Sequence, residues 1–178
     1  ALQRIMHRRF LIIIPRNVHK SVINALILSG AVPIYVQPEF STRFGLTVCV
    51  SAEEYIKTIE ENQDAKAVLV INPTYYGFVC DIKTVCDVAH SYGMMVLADE
   101  AHGTHLYFHD GLPIGAMDAG ADMAGLSVHK TGGSFTQSSI LLLSERYLSR
   151  SYVKTIANLT HTTSASYLLM SSLDVARK

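Results

Sequence analysis

Short apolar runs recur along this chain, at Leu11–Ile14, Val32–Val36, Ala67–Ile71, Met94–Ala98 and Met123–Val128. No other feature narrows the possible folds as far. The runs are close to continuous rather than alternating, as in strands covered on both faces. Helix-spaced segments lie between them. Val18–Ser29 reads as a helix ended by Gly30, and Ser51 with Glu54 makes a capping box for a helix running to about Asn62. Asp81 begins another, with Ile82, Val85, Cys86 and Ala89 on one face and Gly93 at its end. Such alternation predicts a three-layer αβα domain with a mostly parallel sheet. Gly132-Gly133 leaves too little chain for a crossover helix. Ser139–Leu143 is therefore expected to run antiparallel to the preceding strand, or not to neighbour it. Phe40–Val50 reads as irregular. Ser164–Lys178 reads as a helix with Leu168, Leu169, Ser172 and Leu173 on one side.

Composition excludes several classes of function. The 178 residues suit one domain, and 49% are hydrophobic, enough for a sizeable core. Charged residues make up 17%, below the roughly 25% usual for soluble domains. Part of the surface is therefore expected to be covered, most simply by another copy in a homodimer. Fifteen basic and fifteen acidic side chains balance to a net charge of 0, which is no nucleic-acid footprint. The cysteines at 49, 80 and 86 lack CxxC spacing, and their odd number points to a reducing, cytoplasmic compartment. No apolar stretch is long enough to span a membrane. The basic start, Ala1 to Phe10, reads as an interrupted helix rather than a targeting peptide.

Chemistry is expected at the C-terminal ends of the strands, where open α/β sheets bind ligands. Lys130 follows one run in Ser127-Val128-His129-Lys130, and Asp99 follows another in Asp99-Glu100-Ala101-His102. A lysine amine can hold an aldehyde as a Schiff base. A carboxylate can pair with a protonated pyridine nitrogen and keep its ring electron-poor. Together they point to pyridoxal phosphate. Neighbours on an extended chain face opposite ways, so Glu100 is expected to be structural. His19 either stacks on the cofactor ring or caps a helix. His102 contacts cofactor or substrate, or is a solvated loop residue. His102, His105 and His109 have metal-like spacing, but Gly103 argues against a regular helix there and no metal site is expected. No GxGxxG, Walker or GxSxG motif occurs.

Taken in order, these motifs resemble the major domain of the Orn/Lys/Arg decarboxylases, in the aspartate-aminotransferase superfold. The likeness rests on the motifs beginning at Pro15, Gly30, Asn72, Ala98, Ser127 and Thr162, namely PRNVHKS, GAVPIY, NPTYYG, ADEAHG, SVHKT and TTSASY. It implies that Lys130 forms the Schiff base, Asp99 binds the pyridine nitrogen and His19 stacks over the ring. It also implies that His102 and Ala101 lie beside the cofactor or substrate, and that Ser127 and His129 flank the phosphate. Thr162 would approach the site near a subunit boundary. The implied reaction removes the α-carboxylate of lysine, arginine or ornithine as carbon dioxide.

Two departures from the family pattern bear on activity. Relatives carry a loop rich in glycine, serine and threonine upstream of the first matched strand, whereas residues 1–10 contain none of these types. The phosphate cradle and the smaller C-terminal domain are therefore expected to be missing, leaving residues 1–178 as a partial major domain. Ala165 also stands where relatives usually carry proline. Other reactions of the same superfold, such as amino transfer, elimination or aldol cleavage, remain open. So does a non-catalytic interaction module.

Overall fold

The computed structural model describes residues 10–178; the expected helix at the start of the chain lies outside them. A six-stranded sheet is formed by β1 (Leu11–Pro15), β2 (Val32–Val36), β5 (Ala67–Ile71), β6 (Met95–Glu100), β7 (Met123–Leu126) and β8 (Ile140–Leu143). The spatial order is β2-β1-β5-β6-β7-β8. All pairs are parallel except β7 with β8, which is antiparallel as the short connection required.

Side-chain alternation divides the sheet into two faces. Ile13, Val68, Val70, Val96 and Ala98 point to one face, where they pack in the main core. Helices α2 (Ala52–Glu61) and α3 (Ile82–Ser91) cover it, contributing Tyr55, Ile59, Val85 and Ala89. Ser51 caps α2 through the Glu54 amide at 3.3 Å, and Asp81 caps α3 through the Thr84 amide at 3.2 Å. On the other face, Ile12, Ile14, Ala67 and Leu69 make a smaller cluster under helix α1 (Lys20–Ser29), through Val22 and Leu26. Gly30 ends α1 at φ 69°, a left-handed conformation that glycine adopts without strain.

Several elements differ from the sequence expectation. Phe40–Val50 contains a small antiparallel pair, β3 (Phe40–Ser41) with β4 (Leu46–Thr47). β7 stops at Leu126, and Ser127 begins a single-turn helix, α4 (Val128–Thr131). Helix α5 (Arg150–Thr160) has no counterpart in the sequence reading. Helix α6 (Tyr167–Ala176) forms as expected, but Leu168 is exposed while Leu169, Ser172 and Leu173 are half-buried. None of the helices among the described residues is long and apolar enough to cross a membrane.

Candidate active site

The strand order changes direction between β1 and β5, and that switch point is where an open α/β sheet leaves a crevice. A cleft of about 920 Å³ opens there, on the sheet face that carries α1. Leu69, Ile71, Met123 and Gly125 form its floor, and α5 supplies a wall through Val153, Ile156 and Ala157.

Strand parity separates the two acids of β6. Asp99 projects to the cleft face and lines it, with one carboxylate oxygen accepting from the Ala101 amide at 3.1 Å. Glu100 projects to the other face and is fully buried. There it accepts from the Tyr107 hydroxyl and, at 2.8 Å, from the Ala116 amide. Burial pushes the Glu100 carboxyl up, while these two donors pull it back. Glu100 thus clamps the segment after β6 and takes no part in the cleft.

Lys130 reaches the same cleft by a different route from the one expected. The residues after Leu126 turn into α4, so facing there follows a helical period, not a strand period. Ser127 and Lys130, three residues apart, both line the cleft. His129 is turned away, its Nδ1 bonded to the Ser138 carbonyl at 2.9 Å. His129 is not among the residues that line the cleft, because facing in α4 follows the helical period.

Behind Lys130 the turn is tight. A Cβ at Gly132 would lie 2.7 Å from Val128 Cγ1, 2.9 Å from Thr104 Cγ2 and 3.0 Å from the Val128 carbonyl oxygen. Gly132→Ala is therefore expected to cost about 1–3 kcal/mol. The check is a lower urea midpoint with an unchanged slope.

The Lys130 Nζ lies 3.2 Å from His102 Nε2. Burial, and then the Lys130 charge, hold the His102 imidazole below the ordinary histidine value, with Asp99 opposing. A neutral imidazole can accept from the lysine amine. His19 lines the cleft as well, and its Nδ1 accepts from the Ser21 amide at 3.2 Å to cap α1. The cap anchors His19 at the cleft wall. Ala101 is also in the lining, but Thr162 is not. Thr162 is exposed and its hydroxyl accepts from the Ser164 amide at 3.2 Å, whereas Thr160 and His161, at the end of α5, reach the cleft.

None of the three cysteines lines the cleft. Burial pushes the thiols of both Cys80 and Cys86 up to about 12, which keeps them protonated. Tyr75 is one lining residue to which the sequence reading gave no role. It follows β5 at the switch point and makes a T-shaped contact with His102, ring centroids 5.3 Å apart.

The donor set suits pyridoxal phosphate. It combines an amine, a carboxylate and three imidazoles over an apolar floor. Gly125, in register with Asp99, leaves open space above the sheet where a flat ring could lie, since a Cβ there would meet nothing within 4 Å.

Comparison with known proteins agrees with this arrangement. The model of the family "Orn/Lys/Arg decarboxylase, major domain" matches residues 1–178. An arginine decarboxylase of Bacillus cereus is 53% identical over 167 residues, covering 94% of this chain and 36% of the relative. One from Bacillus subtilis is also 53% identical, with 34% of its length covered. The chain thus spans about a third of the curated relatives it matches. A pyridoxal-phosphate-bound putative aminotransferase from Clostridium difficile shares the fold, with a TM-score of 0.69 at 16% identity over 96% of this chain and 45% of that one. Family and donor set both support pyridoxal phosphate as the cofactor. Because the family match runs from the first residue to the last, through the segments that line the cleft, the chain belongs to the Orn/Lys/Arg decarboxylase family, in its major domain.

Proposed function

We propose that this chain forms the catalytic cleft of a pyridoxal-phosphate-dependent α-decarboxylase of basic amino acids, with Lys130 as the amine that holds the cofactor. The observation that carries the reading is the approach of Lys130 Nζ to His102 Nε2 at 3.2 Å, in a cleft that also receives Asp99 and His19. The relatives at 53% identity are named arginine decarboxylases, which supports arginine ahead of lysine and ornithine.

Bound pyridoxal phosphate supplies an aldehyde that exchanges amines and an electron-poor ring that takes up the pair left by the departing carboxylate. Lys130 would hold the cofactor through its side-chain amine. His102 Nε2 accepts a hydrogen bond from Lys130 Nζ and so orients the amine in the cleft. Asp99 would hold a proton on the ring nitrogen, His19 would cover the ring, and Ser127 would hold the phosphate. Val153, Ile156 and Ala157 of α5 give the cleft an apolar wall. Lys130 and His102 then return a proton to the substrate Cα. Exposed apolar residues on α1 and α6, including Ile27, Leu28, Tyr167 and Leu168, support the expected homodimer.

Borohydride reduction after incubation with pyridoxal phosphate, followed by peptide mapping, tests this reading. The label is expected on Lys130, together with carbon dioxide release fastest from arginine. Asp99→Asn is expected to retain the label but slow release by about a hundredfold or more. A wild-type protein without label on Lys130 would overturn the proposal.

A further inference from the structure

Tyr75 is 76% exposed, so its ring adds little to the core, yet the segment that carries it is firmly braced. The Asn72 amide donates to the Asp99 carbonyl at 3.1 Å, and the Asn72 side-chain oxygen accepts from the Cys80 amide at 3.1 Å. The Thr74 amide donates to the Phe78 carbonyl at 2.8 Å, and the Phe78 amide donates to the Thr74 hydroxyl at 3.2 Å. Gly103, next to His102, packs so closely on this segment that a Cβ there would lie 2.9 Å from Pro73 Cδ and 3.3 Å from the Asn72 carbonyl oxygen. Two rigid loops therefore meet, and the rings of Tyr75 and His102 meet with them at an interplanar angle of 83°.

Histidine rotates easily about its second side-chain torsion, because a bond between tetrahedral and planar carbons has broad minima. In an open cleft, one hydrogen bond to a flexible lysine would not fix that rotation. A perpendicular aromatic neighbour does, because the electron-rich face of one ring attracts the edge of the other. We propose that Tyr75 is a positioning residue, whose ring holds His102 in the orientation that presents Nε2 to Lys130. This rests on the reading of Lys130 as the cofactor-holding amine. The groups facing His102 are Lys130 from α4, Asp99 from the end of β6 and Tyr75 from the loop after β5.

The test compares wild type, Tyr75→Phe and Tyr75→Ala. His102 is titrated by nitrogen-resolved NMR without added cofactor, and the rate at which pyridoxal phosphate becomes borohydride-trapped on Lys130 is measured separately. Tyr75→Ala uncovers His102, so its titration is expected to move up toward the ordinary histidine value. Trapping is expected to slow between about twofold and tenfold. Tyr75→Phe keeps the ring and should match wild type in both measurements. The proposal is overturned if Tyr75→Ala matches wild type, if Tyr75→Phe is as impaired as Tyr75→Ala, or if Tyr75→Ala lowers the urea midpoint substantially. Absence of trapping in wild type would instead overturn the role of Lys130, and the His102 titration would still decide the role of Tyr75.

Discussion

Replacing Lys130 with alanine is expected to abolish borohydride-stable attachment of pyridoxal phosphate and to slow carbon dioxide release by at least about a thousandfold. Lys130→Arg should do the same, because a guanidinium stays protonated and cannot act as the amine. Neither change should unfold the protein. Lys130 is exposed on the single turn of α4, and substitutions at such positions change stability by about 0.5 kcal/mol or less. The decisive pair of measurements is peptide mapping after reduction and the thermal midpoint of each variant. Undiminished labelling in Lys130→Ala, or a label on Lys20 beside His19, would assign the cofactor to another amine.

Asp122→Ala is expected to produce the largest loss of stability, about 3–5 kcal/mol, out of the roughly 5–15 kcal/mol that holds a typical domain together. The Asp122 side chain is 3% exposed, at the edge of the sheet away from the cleft. It accepts from the Val96 amide at 2.8 Å, from His90 Nε2 at 2.8 Å and from the Ser144 hydroxyl at 3.3 Å. Arg146 Nε lies 3.6 Å from Oδ1, the oxygen that Ser144 bonds, and so extends the network. Arginine has only donors and a carboxylate has only acceptors. The His90 ring bridges the two, in contact with Arg146 at Nδ1 and with Asp122 at Nε2. One carboxylate thereby ties α3, β6, β7 and the end of β8 together. Alanine leaves the Val96 amide and the buried edge of His90 unsatisfied. Asp122→Asn keeps one acceptor but turns an amide donor toward other donors, so about 1–3 kcal/mol is expected. Urea denaturation at neutral pH measures both, and losses below 1 kcal/mol for Asp122→Ala would show that the network contributes little.

The layer order and the direction of the last strand were legible because they follow from local rules. Continuous apolar runs mark strands covered on both faces, and the stretch after Lys130 leaves no room for a crossover helix, so the last strand had to run antiparallel to β7 or not neighbour it, and the structure shows the first. Parity alone separates Asp99 from Glu100, because neighbouring residues on a strand face opposite ways. Lys130 was identified by its chemistry and by its place after a strand. Its facing was not legible, since nothing local showed that Ser127 would end β7 and start a helix.

By itself, the sequence determined the strand–helix alternation, the family and the residue types able to hold pyridoxal phosphate. All three reside in short segments whose periodicity and motifs are local properties. Only the tertiary structure decided that Ser127 shares the cleft with Lys130 while His129 does not, that Thr160 and His161 reach it instead of Thr162, and that Tyr75 packs on His102. These outcomes depend on how separate chain segments come together at the edge of the sheet, and no local pattern in the sequence encodes that meeting.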